Sequence, residues 1–463
     1  MEPAARAEEA AGVGPAHGPV RPIIVGGDIG AYATARAFHE AYGVPAVVLA
    51  GVRVGAVAHS RIVDLRIRPG LEDPDTLAEA VLEVAAEAVG AAHLVLGSAD
   101  WLVAAIVTVR QRLESAGVVV PYPDHELVAT VSDKAALMDL AARAEVPHPR
   151  TALGVPSDDD PPGADLSFPV VIKPASTAGA RDLDYPGMAK VHVAGDTAQL
   201  QSLWGTMRAA GVAAPMLVQE FVPGPDSSMV ALNVFIDPGG RVRIAQFGQV
   251  LLEEYAPSAV GNSVAQLTGD AVGSQAEAVR HVVGLLRQIG WRGFANADLK
   301  RDATGTYRLL EINPRVGRSG YAVTASGYNV AAMYGSAFLG QDASRELNNG
   351  PVRMLAAGRP AGDQAPPAPP SAARRRTGNG AQDIPLATAQ HLFTVVPWVV
   401  LRRYLPAPLR ARVRRVRRTG AVTNPLYYRA ERHPRRLAYI AAAMVNYERK
   451  LRRYHPGSHH PAR

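Results

Sequence analysis

The sequence predicts an α/β chain: a parallel, doubly wound unit followed by a larger mixed α+β unit. Three observations carry this. Short apolar runs alternate with helix-period segments through about the first 120 residues, the pattern of a parallel sheet wrapped by helices. Farther along, apolar runs are joined by Pro-Gly and Gly-rich turns, which suits antiparallel pairing. The chain has 463 residues, 48% of them hydrophobic, enough for two or three domains with real cores.

The elements follow in order. "RPIIVGGDIGAYATARAFHEAYG" (21–43) reads as a strand, a Gly-rich turn and an amphipathic helix, and "PAVVLAG" (45–51) and "AHLVLGSAD" (92–100) read as further strands. The Gly26-Gly27 turn serves either close packing or the approach of backbone amides to a ligand. A second unit starts near Pro121, and "SDKAALMDLAARAEVPHP" (132–149) is a capped helix that ends by Pro147. "FPVVIKPAS" (168–176) is a buried-type strand ending in Lys173, and a small-residue loop (174–181) follows it. "APMLVQEFVPGPD" (214–226) is another strand. Residues 227–252 form a hairpin or meander around Pro238-Gly239-Gly240, and "SQAEAVRHVVGLLRQIG" is a helix ending at Gly290. "GFANADLKRD" and "GTYRLLEINPR" form an antiparallel pair with acids near its ends. A Pro/Ala/Gly-rich linker (361–383) leads into a basic C-terminal segment.

Composition narrows the function classes. There is no cysteine, which excludes disulfides, thiolate metal sites and a cysteine nucleophile. The N-terminal stretch lacks the apolar core of a secretory signal and reads as a flexible leader, and no run is long enough for a membrane span, so a cytoplasmic location is expected. The net charge of +7 conceals an asymmetry: residues 401–463 hold 17 Lys or Arg against 2 acids, a net of +15, leaving −8 on the rest. That tail suits the anionic inner face of a membrane, a structural extension whose arginines cover acids on the body, or nucleic acid, ranked last. The tail histidines 455, 459 and 460 read as a frayed end rather than a metal tract.

ATP chemistry needs lysines on phosphate oxygens, a small-residue loop over them, backbone groups at the adenine edge and hard oxygen ligands for Mg²⁺. The chain offers these in a workable order. Lys134 opens the second unit, Lys173 precedes the small-residue loop, "QEFVPG" (219–224) supplies a strand edge, and Asp298, Glu311 and Asn313 supply three oxygen ligands on neighbouring strands. There is no Walker A pattern, so a P-loop is excluded. Each residue alone has an ordinary reading: Lys134 and Lys173 as solvated lysines, Glu311 and Asn313 as turn caps, Asp298 as an ion pair with Lys300, Arg318 as a surface arginine.

The series "FPVVIKP…QEFVPG…D…EINPR" resembles the ATP-grasp superfamily over roughly residues 20–345. "GGDIGAYATARAFHEAYG", "PGMAKV" and "NPRVGRSGYAVTASGYN", with "TNPLYY" past the linker, look like its D-aspartate ligase branch. The resemblance implies an ATP-grasp fold (123–350) preceded by a Rossmann-like pre-ATP-grasp domain (21–122), with a leader (1–20) and a basic C-terminal extension (384–463). It implies a carboxylate–amine ligase working through an acyl phosphate, with ATP and one or two Mg²⁺, or Mn²⁺, as cofactors. Lys134 and Lys173 would contact ATP phosphates, Glu220 and Val222 the adenine, and Asp226 the ribose. Asp298, Glu311 and Asn313 would hold metal, Arg315 would clamp the transferred phosphoryl group, and Arg318, Ser319 and Tyr321 would face the carboxylate substrate. The partners implied are an amino-acid donor such as D-aspartate and an amine acceptor on a nucleotide-linked peptidoglycan stem peptide. The alternatives are a ligase making a peptide or small-molecule natural product and a non-catalytic nucleotide-binding regulator. Two departures from the branch stand out: the loop after Lys173 is Ala-rich, and Tyr255 stands where the branch suggests His.

Overall fold

The computed structural model describes residues 18–158, 160–175, 185, 187–189, 191–257, 259–343, 348–357 and 382–456. The leader up to residue 17, most of the small-residue loop, the linker through residue 381, and His459 and His460 lie outside the described residues.

Three sheets organise the described residues. The first has five parallel strands, β1 (Val20–Val25), β2 (Ala46–Ala50), β3 (Val63–Ile67), β4 (Ala92–Gly97) and β5 (Val118–Val119), in the order β3-β2-β1-β4-β5. β2 and β4 are buried along their whole length, as strands covered on both faces must be. Asp28 caps the helix Ile29–Tyr42 by accepting from Ala31 N, and Gly43 ends it in the left-handed region. This is the doubly wound unit expected from the alternating pattern. At the first strand–helix turn Gly26 has φ +118°, and a Cβ there would fall 2.0 Å from Ser98 Oγ. Close packing against the end of β4 therefore accounts for this glycine.

The second sheet joins β6 (Thr151–Gly154), β7 (Val170–Pro174), β8 (His192–Ala194) and β9 (Met216–Glu220), all antiparallel, in the order β6-β9-β7-β8. The helix Thr197–Ala209 closes it by burying Leu200, Trp204 and Met207 against Val170, Ile172 and Val218.

The third sheet carries β10 (Met229–Ile236), β11 (Val242–Glu253), β12 (Ser263–Thr268), β13 (Gly293–Arg301), β14 (Tyr307–Asn313), β15 (Val352–Leu355), β16 (Ile384–Ala387), β17 (Leu392–Thr394) and β18 (Val422–Thr423). Its path is β14-β13-β10-β11-β12-β17-β18, with β16 parallel on β11 and β15 on β16. The helix Ser274–Gln288 backs it with Val279, Val282, Val283 and Leu286, a helical stripe one face wide.

The basic C-terminal segment is built into this body. β17 extends the third sheet through β12, and Val413, Val416, Ile440, Tyr447 and Leu451 from the helices Ala407–Arg418 and Pro434–Tyr454 enter one core with Tyr32, Val48, Val264 and Leu267. Arg436 is fully buried, its Nε 2.9 Å from Glu431 Oε2 and its guanidinium 3.7 Å from the Tyr32 ring centroid. Glu431 in turn accepts from Tyr32 OH, Ser60 Oγ (2.6 Å) and the Arg61 N–H (2.6 Å). The tail is thus a structural extension of the body. Among the described residues no helix is long and apolar enough to cross a membrane.

Candidate active site

The site begins with the register of β13 against β14. Asp298 lies opposite Glu311, and Asn296 opposite Asn313, so one face of the pair gathers the three sequence-predicted oxygen ligands. Period-two alternation puts residues 296 and 298, and 311 and 313, on this face, while Ala297 and Ile312 point into the core; the register shift between Asp298 and Leu299 turns Leu309 to the core as well. Enclosure of Asp298 by protein, with the Glu311 carboxylate beside it, pushes its carboxyl well above the usual range, and Arg315 opposes the shift. Among the described residues no three His, Cys, Asp or Glu side chains converge on a metal-sized site. The donor set is two carboxylates and an amide, hard oxygens suited to Mg²⁺. A divalent cation between the two carboxylates would relieve their mutual repulsion, so the residues fit the group.

A buried ladder of amides orients Asn313. Gln246, Asn233, Asn296 and Asn313 sit directly opposite one another on β11, β10, β13 and β14. Asn233 Nδ2 donates to Gln246 Oε1 (3.1 Å), Asn296 Nδ2 to Asn233 Oδ1 (3.3 Å) and Asn313 Nδ2 to Asn296 Oδ1 (3.2 Å). This leaves Asn313 Oδ1 turned toward Arg315 Nη2, 3.4 Å away. Sequence reasoning missed the ladder. Its one local signal is Asn233 standing inside an otherwise apolar strand and Asn296 inside the apolar first half of β13.

The loop after β14 spreads its side chains in different directions. Arg315 Nε lies 2.7 Å from Asp100 Oδ1 at the start of the helix Asp100–Thr108. Burial works against its charge, yet Asp100, Asp28, Asp298 and Glu311 together hold its pKa above the ordinary arginine value. Gly317 lets the loop approach the ladder, since a Cβ there would fall 2.9 Å from the Asn296 amide. A cavity of about 20 Å³ beside Arg315, lined by Gly97, Ser98 and Tyr122, has room for a water and not for a substrate. Arg318 turns to Glu254 (Nη1 to Oε1, 3.0 Å) and Tyr447 (Nη2 to OH, 3.1 Å). Ser319 Oγ accepts from Gln266 Nε2 at 2.7 Å. Tyr321 leaves this group. It is buried, its hydroxyl donates to Glu40 Oε1 (2.7 Å), and Arg36 stacks 4.2 Å from its ring centroid.

The residues that the sequence resemblance assigns to the nucleotide lie on the second sheet and its borders. Lys173 Nζ donates to Gln219 Oε1 (3.1 Å) across β7 and β9. Lys134 opens the helix Lys134–Arg143 behind the Asp133 cap, with its backbone N–H bonded to Ala175 O at the end of β7. The Glu220 carboxylate accepts from the Ser167 N–H (3.0 Å) and faces Arg150 (3.6 Å), and its backbone N–H donates to Arg150 O (3.0 Å). Val222 is buried. Asp226 accepts from the Glu253 N–H (2.9 Å) and from Tyr255 OH, which ties the strand edge to the departure at Tyr255.

No protein-family model matches the chain. Among solved structures it is similar to an N5-carboxyaminoimidazole ribonucleotide synthetase in an ADP complex (TM-score 0.53, 17% identity, covering 70% of this chain and 78% of that one). It is also similar to the L-amino acid ligase from Bacillus licheniformis (TM-score 0.51, 14% identity, 69% and 74%). Fold and site together define an ATP-grasp ligase, an ADP-forming enzyme that makes a C–N bond. In sequence the chain is 30% identical over 322 residues to the D-aspartate ligase of Enterococcus faecium (strain Aus0004), covering 67% of this chain and 74% of the relative. It is 25% identical over 226 residues to the D-alanine–D-alanine ligase of Stutzerimonas stutzeri (strain A1501), covering 48% and 67%. The chain belongs to the D-aspartate ligase-like carboxylate–amine ligases of the ATP-grasp superfamily.

Proposed function

We propose that the chain joins an amino acid such as D-aspartate to an amine of a peptidoglycan precursor, with ATP and Mg²⁺. The observation that carries this reading is the cross-strand carboxylate pair Asp298–Glu311 with the ladder-held Asn313 and with Arg315 beside it. In this chemistry a carboxylate oxygen attacks the γ-phosphorus and ADP departs. The amine nitrogen then attacks the acyl carbon, phosphate leaves, and the nitrogen loses a proton. When bound, Mg²⁺ would supply neutralisation of phosphate charge.

Each residue has a task in that sequence. Asp298, Glu311 and Asn313 Oδ1 would hold the metal. Arg315, kept cationic by the carboxylates around it, stabilises the negative charge gathering on the transferred phosphoryl group. Lys134 and Lys173 neutralise phosphate oxygens. The backbone at Glu220 and Val222 meets the adenine edge, and Asp226, set by Tyr255, meets the ribose. Arg318 and Ser319 lie on the substrate side. Tyr321, held by Glu40, supports the helix Ile29–Tyr42 rather than a ligand.

The test is ADP release over a panel of D- and L-amino acids, with and without the nucleotide-linked stem peptide. Turnover restricted to aspartate plus stem peptide supports the reading. Turnover with other amines alone moves the acceptor to a small molecule, and ADP binding without release under every pair overturns catalysis. A finer location, the inner face of an anionic membrane, is favoured by the exposed Arg414, Arg415 and Arg418 on the helix Ala407–Arg418. Salt-sensitive flotation with anionic liposomes checks it, and no flotation at low salt sinks it.

A further inference from the structure

Two segments far from the ATP-grasp motifs converge on Arg318. The helix Pro434–Tyr454 brings Tyr447, whose hydroxyl accepts from Arg318 Nη2 at 3.1 Å, and Lys450, whose Nζ lies 3.5 Å from Glu254 Oε2. The first strand–helix turn brings Asp28, with Oδ2 3.8 Å from Arg318 Nε. Glu254 bridges the two cations, with Oε1 3.0 Å from Arg318 Nη1. Two cations, two carboxylates and a phenol therefore meet at the substrate end of the loop that carries Arg315.

The cluster is built unevenly. Glu254 is enclosed, with its side chain 3% exposed, whereas Arg318, Lys450 and Asp28 keep 30%, 36% and 38% of theirs. One side thus stays open, and it presents both signs of charge. Asp28 acts on Arg315 as well as on Arg318, so the open side is electrostatically continuous with the phosphoryl clamp. A donor amino acid with a second carboxylate matches this array. One carboxylate is activated beside Arg315, and the free carboxylate and the ammonium still need partners of opposite sign. Lys450 and Arg318 can take the carboxylate, Tyr447 can donate to it, and Asp28 can take the ammonium.

We propose that the C-terminal helix completes the donor site, with Lys450 and Tyr447 binding the free charged end of a dicarboxylic amino acid. This rests on the ligase reading above and adds specificity-determining residues that lie outside the ATP-grasp segments. The basic extension then has a second use besides stability. It carries part of the substrate site on an element that the two ends of the chain must fold together to position.

The experiment uses the full-length chain and steady-state ADP release with D-aspartate as the varied donor and β-alanine, which lacks the second carboxylate, as comparator. Lys450→Met and Tyr447→Phe are expected to raise the KM for D-aspartate by about tenfold or more and to lower the preference over β-alanine by a similar factor. The KM for ATP stays unchanged, and Lys450→Arg restores much of the loss. Glu448→Gln, which breaks the surface pairs to Arg403 and Arg452 on the same helix, controls for docking of the helix and is expected to leave the donor KM unchanged. An unchanged donor KM in Lys450→Met overturns the inference while the ligase reading stands. So does a rise in donor KM for Glu448→Gln equal to that for Lys450→Met, because docking alone then explains it. Absence of ADP release by the wild type with every donor and amine overturns the ligase reading and this inference together.

Discussion

Replacing Glu311 by Gln is the sharpest test of the metal assignment, because it removes one charge and little else. Glu311 faces Asp298 across β13 and β14, so with a cation bound the pair would contribute two negative charges to one small volume. A unit charge about 4 Å from a cation contributes about 4 kcal/mol at an effective dielectric near 20. With about 1.4 kcal/mol per decade in rate, losing that charge slows ADP formation about a thousandfold. The expected effect on folding has the opposite sign. Glu311 helps to raise the Asp298 carboxyl, so without ligand the native pair ionises at a cost. A carboxyl whose folded pKa exceeds its unfolded value binds extra protons in the native state. Stability therefore falls as pH rises from near 4 through the raised folded pKa. In Glu311→Gln that slope flattens, and the melting temperature at pH 7 without nucleotide holds or rises. A coupled ADP-release assay and thermal scans at several pH values read both effects. Near-wild-type turnover, or a large loss of stability at pH 7, would refute the reasoning.

Other consequences follow from particular contacts. Arg436→Met leaves Glu431 charged and buried beside Tyr32, and urea denaturation should show a loss of about 3–5 kcal/mol. An unchanged midpoint would mean that the C-terminal segment is not held by this pair. Asn233→Leu cuts the amide ladder, at about 1–3 kcal/mol for the partners left unmade and a loss of about 10–100-fold in turnover through a misoriented Asn313. Stability and ADP release measured together check this, and full activity would show that the ladder does not position Asn313. Burial holds His391, hydrogen-bonded to Thr423, down at about 4 from an ordinary 6.5. The unfolded chain binds the extra proton between those values, so stability is lost as pH falls from 6.5 toward 4, by up to about 3 kcal/mol. His391→Gln should melt with a weaker dependence over that window.

Local pattern made much of the site legible. Asp298, Glu311 and Asn313 are visible because two adjacent strands place acids and an amide at alternating positions, and a hairpin-length turn at Gly305 brings them to one face. Lys173 is visible because it ends an apolar strand. Tyr321 misled, since it stands three residues after Arg318 but opens the helix Tyr321–Ala325 and turns to Glu40, which no spacing rule reveals. Glu254 could have pointed to solvent on sequence grounds, yet it is enclosed between Arg318 and Lys450.

The sequence by itself determined the main strand–helix order, the parallel unit ahead of the antiparallel one, and the acids and amide placed on β13 and β14. These depend on periodicity and on neighbours a few residues apart. The tertiary structure alone decided that Asp100 pairs with Arg315, that four amides form a ladder behind Asn313, and that a basic tail folds back to place Lys450 and Tyr447 beside Arg318. Those contacts join segments distant in the chain, and their energies depend on enclosure and on which charges face each other. A linear pattern carries neither.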